Sequence, residues 1–555
     1  MESILRLNKT SCKSCHKCIR YCPVKAIRFS AGQAHIVENE CVLCGRCFSV
    51  CPQNAKQISS DVEKAGVMLM NGPVYASVAP SFVAAFPGIG IDALEDALKQ
   101  LGFDGAEETA VGATIVKREY ERILREETPN VLLSSCCTSV NLLIRKHYPD
   151  VLFALAPVMS PAQAHCADIK RRHPDAQTIF IGPCIAKKQE SQENDLIDAV
   201  LSFEELRDWL KEKNIPLIPR EDQRPGGKAR IFPTTGGVLA TMEKVPGYTY
   251  LAVDGIPNCM ATLEEIRKGQ LHHCFIEMSA CQGSCSNGPL MHAPATPAAN
   301  TLEVLRYTCE GDFPVEQPPA KESRLVLTPI EQTAVQPAEW EIDELMAKIH
   351  KEKPESQLNC GTCGYNTCRE RAAAVIQGKA EISMCLPYMM KKAEGFSDTV
   401  LMNSPNGILV LNDAMEVQKI NPEACRLLEV PSATDVLGDH VAPLMDPAIF
   451  EAARSNDGKP ITATHVPLTD FGCYVDRIVL YNSDCHLFIC TMRDVSKEVK
   501  RQAKKMETRM QAVTIADDVA KKQLKIVQEI ASLLGETAAD TLIAVEHLKE
   551  TISDD

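Results

Sequence analysis

A doubled cysteine motif near the amino terminus constrains the fold of this chain more than any other feature. The pattern C-x2-C-x2-C-x3-C-P occurs twice, ending first at Pro23 and then at Pro52. Bunched cysteines in a long chain usually hold metal, whereas a small disulfide scaffold has cysteines along its whole length. The eight cysteines of the repeat are Cys12, Cys15, Cys18, Cys22, Cys41, Cys44, Cys47 and Cys51.

This spacing is typical of two four-iron clusters that exchange their fourth ligand. Three thiolates two residues apart can wrap one face of an iron–sulfur cube, and the fourth then reaches the other cube. The pattern resembles the two-cluster bacterial ferredoxins and predicts an electron-transfer module at residues 1–60, with zinc or free thiols as the alternatives. One cluster would be held by Cys12, Cys15, Cys18 and Cys51, and the other by Cys41, Cys44, Cys47 and Cys22.

Composition excludes several classes of protein. The chain has 555 residues, of which 45% are hydrophobic and 24% charged, so a disordered or fibrous protein is excluded. Its net charge of −14 argues against nucleic acid as the main partner. The longest uncharged stretch, residues 71–91, contains three prolines, so we do not expect a membrane span. Because the first residues also lack an apolar signal segment, we expect a cytoplasmic location.

Shifts in composition suggest further segments. Residues 65–312 alternate apolar strand-like runs with helical stretches, which is typical of an α/β domain. Residues 313–339 contain five prolines and predict a linker. Residues 340–392 begin with a helical pattern and contain another cysteine cluster, and residues 395–495 have an α+β pattern.

Three separated cysteine segments in the α/β domain indicate a metal site built from distant loops. They read SSCCT at 134–138, GPCIAKKQE at 182–190 and EMSACQGSC at 277–285. Four of their five thiols could hold one more four-iron cluster. In their order and residues, downstream of a ferredoxin module, the segments resemble the three signatures of iron-only (FeFe) hydrogenases. This resemblance extends from residue 1 to about residue 310.

The resemblance implies an H-cluster, in which a four-iron cluster is bridged to a diiron subsite. That subsite carries carbon monoxide, cyanide and a dithiolate with a bridgehead amine, and maturation proteins must supply it. The implied bridge is Cys285, and the implied four-iron ligands are Cys137, Cys184, Cys281 and Cys285.

The resemblance also implies roles for side chains around the diiron subsite. The thiol of Cys136 would relay a proton to the bridgehead amine. The ammonium of Lys187 would bond one cyanide, unless it is a solvated surface lysine. Ser81 would donate to the other cyanide or cap a helix, and Pro80 would pack over the dithiolate.

The chain departs from the family's signature residues at several positions, and one of these departures concerns an acidic pair. Glu190 would orient Lys187 or its loop, and Glu277 would serve either as a structural hydrogen-bond acceptor or in catalysis. High-turnover members use an acidic pair as a proton route, where this chain has Arg118 and Glu121. We therefore expect a slower site, which suits sensing better than bulk hydrogen metabolism.

Four later cysteines, spaced C-x2-C-x4-C-x16-C, predict a third iron–sulfur module. The spacing resembles a four-iron domain of corrinoid iron–sulfur proteins, and zinc is the structural alternative. Reduction of such a cluster would change the local charge by one unit and could pass redox state to the next domain. The cysteines are Cys360, Cys363, Cys368 and Cys385.

The last two segments resemble a sensor domain and a signalling helix. Residues 406–413 and 420–425 resemble PAS domains, and residues 492–496 run into a helix as PAS domains do. We expect an empty, dimerising PAS relay. In residues 496–555, apolar side chains recur at helical spacing on both sides of Gly535, which predicts a helical hairpin or a kinked coiled coil. These helices would dimerise or contact a partner.

Together these observations predict a multidomain FeFe hydrogenase that reversibly oxidises H2 and acts as an H2 or redox sensor. Its signal would pass through the iron–sulfur clusters and the PAS domain to a separate protein, such as a kinase or phosphatase, and the chain would be a homodimer. The alternatives are a metabolic hydrogenase that exchanges electrons with ferredoxin and a non-catalytic iron–sulfur protein.

Overall fold

The chain folds into two compact units, Met1–Met389 and Met390–Asp555. Among the described residues, no helix is both long enough and apolar enough to cross a membrane. Parts of the predicted ferredoxin module, linker, PAS domain and C-terminal segment lie outside the described residues. This computed structural model describes residues 3–8, 10–291, 296–332, 336–468 and 471–552.

The N-terminal module consists of two antiparallel strand pairs and two short helices. Its elements are β1 (Leu5–Leu7), α1 (Lys17–Tyr21), β2 (Ile27–Ser30), β3 (Gln33–Ile36), α2 (Arg46–Ser49) and β4 (Lys56–Ile58). Strand β1 pairs with β4, and β2 pairs with β3. Gly45, at the start of α2, has a left-handed φ of 72°, and a Cβ there would lie 2.4 Å from Cβ of Pro289. Glycine thus permits the central domain to approach this module closely.

Two parallel sheets form the centre of the next domain, as the α/β pattern predicts. The strands are β5 (Val74–Val78), β6 (Gly105–Glu108), β7 (Val131–Leu133), β8 (Gln177–Ile181), β9 (Ala199–Leu201), β10 (Thr249–Asp254) and β11 (Cys274–Ser279). One sheet has the order β6-β5-β8-β9 and the other has the order β10-β11-β7. All of these neighbours run parallel, so their carboxyl ends lie at one edge of each sheet.

Helices connect these strands. Helix α8 begins with a capping box, in which Ser160 accepts from the backbone of Gln163, and Pro161 occupies its first turn. Ser202 caps α10 in the same way. The helices are α3 (Val62–Asn71), α4 (Phe82–Ala85), α5 (Ile91–Leu101), α6 (Ala110–Glu126), α7 (Thr138–His147), α8 (Pro161–Arg172), α9 (Lys187–Glu193), α10 (Phe203–Glu212), α11 (Gly237–Thr241), α12 (Ile256–Arg267) and α13 (Pro297–Tyr307).

Residues 313–332 of the proline-rich segment contact the central domain, although their composition predicted a linker. Phe313 is buried, and a short helix, α14 (Ala320–Ser323), follows it. The backbone N–H of Leu325 donates to the carbonyl of Pro157 at 3.0 Å. Proline content predicted the lack of long elements, but it did not reveal that apolar residues within the segment would pack.

The third cysteine-rich module packs against the N-terminal module. It contains α15 (Glu339–Lys348), α16 (Cys368–Ile376) and the start of α17 (Leu386–Met402). The ammonium of Lys379 lies 2.6 Å from the carboxylate of Glu40, and both side chains are largely buried. Gly364 has a φ of 93°, and a Cβ there would meet Ile19 at 3.0 Å.

The second unit contains a five-stranded antiparallel sheet of order β13-β12-β16-β15-β14. Its core includes the fully buried rings of Phe450 and Phe488. Asn421 caps a helix by accepting from the backbone N–H of Ala424 at 2.9 Å. The elements are β12 (Gly407–Asn412), β13 (Val417–Ile420), α18 (Pro422–Leu427), α19 (Ala448–Arg454), β14 (Ile461–Leu468), β15 (Cys473–Asn482) and β16 (Leu487–Asp494).

The C-terminal segment is one helix, α20 (Ser496–Ile552), which has 57 residues. The predicted hairpin at Gly535 is therefore wrong, because the helix continues through this residue, whereas the coiled coil stays a prediction. A glycine within a helix costs only about 1 kcal/mol relative to alanine, and strong helix-forming residues flank it on both sides.

Candidate active site

The candidate active site lies where loops leave the carboxyl ends of both parallel sheets. Ser81 follows β5, Thr109 follows β6 and Cys136 follows β7, while Cys184 follows β8 and Cys281 follows β11. Parallel sheets bind ligands at this edge, because connecting loops from several strands meet there. The topology thus brings together segments that are far apart in the sequence.

A mostly apolar cavity of about 100 Å³ lies among these loops. Seven of the residues predicted for the H-cluster site line it together, although they come from four separate segments. They are Pro80, Ser81, Cys136, Cys137, Lys187, Glu277 and Cys285.

The four thiols implied as iron ligands lie close together beside this cavity. Burial raises the pKa of Cys281 well above its ordinary value, and the neighbouring thiols of Cys285, Cys137 and Cys184 raise it further. The backbone N–H of Ala280 donates to the sulfur of Cys137 at 3.4 Å. A group of neighbouring thiols suits metal binding, since iron replaces protons that the site otherwise retains. These four residues therefore fit a four-iron cluster.

Ser81 has a buried hydroxyl that lacks a hydrogen-bond partner among the described residues. It precedes α4, but its side chain makes no capping bond, so the capping alternative is not observed. A buried polar atom without a partner is rare and calls for an explanation. Because this hydroxyl lines the cavity, a bound polar group would satisfy it.

Lys187 is buried, so the surface-lysine alternative is not observed. Its ammonium contacts the carboxylate of Glu190 and donates to Oγ of Ser160 at 2.8 Å. Burial opposes the charge, but the contact with Glu190 outweighs it and raises the pKa of Lys187 above its ordinary value. The hydroxyl of Thr138 also donates to Glu190, at 3.0 Å. A fixed cation therefore lines the cavity wall.

Cys136 has a partner that the sequence motifs did not indicate. The hydroxyl of Tyr120, on α6, lies 3.3 Å from its sulfur and 2.9 Å from Oγ of Ser135. Burial raises the pKa of Cys136 to about 12, so the thiol keeps its proton at neutral pH. Tyr120 occupies an ordinary helical position, and no local signal would have singled it out.

The acidic and basic side chains of α6 are occupied elsewhere. Arg118 pairs with Asp312, and Glu119 pairs with Arg122. Glu121 accepts from the backbone N–H of Glu243 at 2.8 Å.

Glu277 accepts two backbone hydrogen bonds inside the cavity wall. The donors are the N–H groups of Gly236, at 2.9 Å, and Leu239, at 3.1 Å. Burial raises its pKa to about 7, although these hydrogen bonds lower it. Glu277 therefore has the structural contacts that were one of its two predicted roles, and it changes protonation near neutral pH.

The cysteines of the N-terminal module also gather in two places. Burial raises the pKa of Cys47 well above its ordinary value, and the thiols of Cys41, Cys22 and Cys44 add to this. These four are one of the two predicted ligand sets. Burial raises the pKa of Cys18, and the nearby thiols of Cys15 and Cys12 raise it further. The assignment of Cys51 to this second set stays a prediction.

In the third module, Lys351 donates to the sulfur of Cys368 at 3.4 Å. Hydrogen bonds from Thr362 lower the pKa of Cys360. Cys363 and Cys385 lie near enough to interact electrostatically.

The three cysteine regions of the first unit also adjoin one another. Cys281 of the central site lies near Cys44 of the N-terminal module. The buried ring of Tyr365 lies near both Cys363 and Cys22. Redox centres held at these positions would be neighbours.

Comparison with known proteins identifies three regions of the chain. Residues 72–289 match the family described as iron only hydrogenase large subunit, C-terminal domain. Residues 11–55 match the 4Fe-4S dicluster domain, and residues 357–387 match a putative Fe-S cluster family.

Two curated relatives are 26% identical to this chain. The alignment with iron hydrogenase 1 of Clostridium pasteurianum spans 288 positions and covers 41% of this chain and half of that protein's length. The alignment with the periplasmic Fe hydrogenase large subunit of Nitratidesulfovibrio vulgaris spans 358 positions and covers 51% of this chain and 85% of that subunit.

Solved structures give partial matches. A variant of FeFe-hydrogenase HydA1 from Chlamydomonas reinhardtii is 19% identical, with a TM-score of 0.37 over 45% of this chain and 88% of that one. The PAS domain of nitrogen regulation protein NR(II) from Vibrio parahaemolyticus is 19% identical, with a TM-score of 0.15 over 18% of this chain and 96% of that one. Residues 72–289 of this chain are thus similar to the C-terminal domain of the large subunit of iron-only hydrogenases.

Proposed function

We propose that this protein is an FeFe hydrogenase of low turnover that interconverts H2 with protons and electrons at an H-cluster. One observation supports this most strongly. One apolar cavity beside the four cysteines is lined by the buried ammonium of Lys187, the protonated thiol of Cys136 and the hydroxyl of Ser81. This hydroxyl has no hydrogen-bond partner within the part of the chain that the structure describes. An apolar cavity also suits an uncharged gas as substrate.

The chain's own side chains would have distinct tasks. The H-cluster, when bound, supplies the heterolytic cleavage of H2. Lys187, held by Glu190, and Ser81 would position the diiron ligands through charge-assisted and neutral hydrogen bonds. Cys136 would hold a proton on its sulfur and exchange it with the reacting site. Pro80 would close the cavity against water. The cluster ligands would be Cys137, Cys184, Cys281 and Cys285.

Electrons would leave through clusters in the same unit. The proximity of Cys281 to Cys44 supports transfer from the central site to the N-terminal module. The position of Tyr365 between Cys22 and Cys363 supports a further step to the third module. We therefore assign two ferredoxin-type four-iron clusters and one further four-iron cluster to this chain, with ferredoxin as a possible external carrier.

We assign this chemistry to H2 or redox sensing in the cytoplasm. Cys136 contacts a tyrosine of high pKa instead of a carboxylate, which favours slow proton exchange. The antiparallel sheet and long helix of the second unit would serve as a PAS relay to a kinase or phosphatase. The competing function, a metabolic ferredoxin-linked hydrogenase, is favoured only if turnover proves high.

The long helix supports a homodimer. Positions spaced alternately by four and three residues, from residue 506 to residue 534, form the heptad pattern of a coiled coil. All of these positions are apolar except Asp517. The apolar positions are Met506, Met510, Val513, Ala520, Leu524, Val527, Ala531 and Leu534.

Infrared spectroscopy tests the catalytic proposal directly. The protein would be matured anaerobically and measured under argon and then under H2. We expect sharp carbon monoxide and cyanide bands that shift under H2, and turnover assays would then separate sensor from metabolic enzyme. Absence of these bands, despite competent maturation and intact iron–sulfur clusters, would leave a non-catalytic iron–sulfur protein.

A further inference from the structure

A chain of hydrogen bonds runs from the cavity wall to a partly exposed carboxylate. It begins at Thr109, which lines the cavity and whose hydroxyl lies 2.7 Å from Oγ of Ser77. Ser77 lies 2.8 Å from Nδ1 of His165, and Nε2 of His165 lies 3.2 Å from Oε2 of Glu107. Ser77 and His165 are completely buried, whereas the Glu107 side chain is 25% exposed.

Two neighbouring strands and a helix bring these four side chains together. Ser77 on β5 pairs directly with Glu107 on β6, and Thr109 follows that strand. His165 lies on α8, which packs against α6 at Gly112. A Cβ at Gly112 would lie 2.7 Å from Cβ of His165, so only glycine permits this approach. This chain of hydrogen bonds therefore depends on how these elements pack, and its residues belong to none of the family signatures described above.

The members of this chain of hydrogen bonds have the chemistry of a proton relay. Each hydroxyl can donate and accept at one oxygen, and an imidazole can accept at one nitrogen while donating from the other. At the outer end, burial favours protonation of Glu107, but hydrogen bonds from His165 and Arg172 outweigh it and hold the pKa of Glu107 well below its ordinary value. A permanent anion there attracts a proton outward.

We propose that Thr109, Ser77, His165 and Glu107 form a proton route between the cavity and the surface, additional to Cys136. The inference rests on the proposed function, in which each H2 yields two protons and two electrons, and the electrons pass to the iron–sulfur clusters. The route is reversible, so it would also supply protons when H2 is formed.

Each transfer leaves the number of protons on the route unchanged. Thr109 accepts a proton at its oxygen and passes its own to Ser77, which passes its own to Nδ1 of His165. The imidazole passes its Nε2 proton to Oε2 of Glu107, and Glu107 releases it to water at the exposed part of its side chain. The ring and the hydroxyls then turn back to their starting orientation.

Thr109→Val tests the route because it removes one hydroxyl with little change of shape. In the matured protein, we expect H2 oxidation and the H2-induced shift of the infrared bands to become about 10- to 100-fold slower, with a changed H2O/D2O rate ratio. His165→Gln keeps hydrogen-bonding groups but cannot relay a proton, and it should show the same loss. Thr114→Val is the matched control, because the Thr114 hydroxyl is equally buried but bonds the carbonyl of Ala110 outside the route.

The outcomes separate this inference from the proposed function. Wild-type protein without diiron infrared bands contradicts the proposed function itself. Bands that respond to H2, with wild-type rates and isotope ratios in Thr109→Val and His165→Gln, overturn the route. Slower rates accompanied by shifted bands at fixed redox state, or by a lower melting temperature of the cluster-free protein, would mean a structural role and also overturn it. If Thr109→Val fails to mature, Ser77→Ala interrupts the same chain of hydrogen bonds away from the cavity.

Discussion

The cavity of the central domain and the long helix α20 are incomplete in opposite ways. In the cavity, polar groups such as Lys187 and Glu277 are buried and bonded, but the hydroxyl of Ser81 lacks a partner. On α20, Leu524 and Val527 are 61% and 59% exposed. A buried polar atom without a partner calls for a bound group, whereas exposed apolar side chains in a row call for another protein surface. On the proposed function, a cofactor would complete the first region and a second copy of the chain would cover the second.

The sharpest test of the cavity is Cys136→Ala. We expect turnover to fall by about 10²- to 10⁴-fold, because the thiol is the proton carrier nearest the proposed reacting site. Iron–sulfur absorbance should stay unchanged, since Cys136 is not a proposed cluster ligand. Cys166→Ala is the control, because Cys166 is a fully buried thiol outside the cavity lining. Near-wild-type turnover in Cys136→Ala would remove the thiol from the proton path.

The cavity also depends on buried charges that do not line it. Glu108 and Arg230 form an ion pair with both side chains only 4% exposed, one residue before Thr109. Glu108→Gln leaves the guanidinium with only the more distant carboxylate of Asp222, at 3.9 Å, and we expect it to lower the free energy of unfolding by about 3–5 kcal/mol.

Denaturation of the cluster-free protein would measure this change through the fluorescence of Trp209 in a Trp340→Phe background. Glu126→Gln, in an exposed pair with Arg122, should change the free energy by less than about 1 kcal/mol. Equal changes in the free energy of unfolding for the two variants would mean that burial of the ion pair does not determine the loss of stability.

Glu277 gives the cavity a pH-dependent stability. Its pKa rises from an ordinary value of 4.5 to about 7 on folding, so the folded chain binds this proton more tightly than the unfolded chain. Its contribution is therefore fully present below pH 4.5 and is lost as pH rises towards 7, by at most about 3 kcal/mol. Glu277→Gln should flatten the fall in unfolding free energy between pH 5 and 7. An unchanged slope in this variant would contradict the assigned protonation.

The smallest expected effect concerns the helix. Val527→Glu places a charge on the heptad stripe, and we expect dimer dissociation to increase at least roughly tenfold, because burial of one valine is worth about 1.5–3 kcal/mol. Light scattering over a dilution series would measure it. Ile526→Glu is the matched control, since Ile526 is similarly exposed but lies outside the stripe. Equal weakening by both variants would contradict the heptad interface.

The sequence predicted most where chemistry requires fixed spacing. The doubled cysteine motif and the hydrogenase signatures identified residues that the fold gathers, such as Cys281 and Lys187. The alternation of strand-like and helical stretches in residues 65–312 also predicted the α/β domain. These features depend on local periodicity or on a motif, which a single sequence contains.

Contacts between distant elements could not be predicted in this way. Tyr120 reaches Cys136 because α6 packs beside the loop after β7, and His165 meets Ser77 because α8 packs against β5. Neither residue belongs to a motif. Gly535 misled the prediction because a single weak helix former does not end a long helix in favourable surroundings.

Gly45 has a consequence for how this chain can be rebuilt. Its missing side chain allows the N-terminal module to press against Pro289, and Gly364 does the same for the third module against Ile19. Both glycines also hold left-handed backbone that other residues adopt at a cost. The modules are therefore not interchangeable: a foreign ferredoxin could be grafted here only if it had a glycine with the same backbone opposite Pro289 and a side chain no larger than that of Ile19 opposite Gly364.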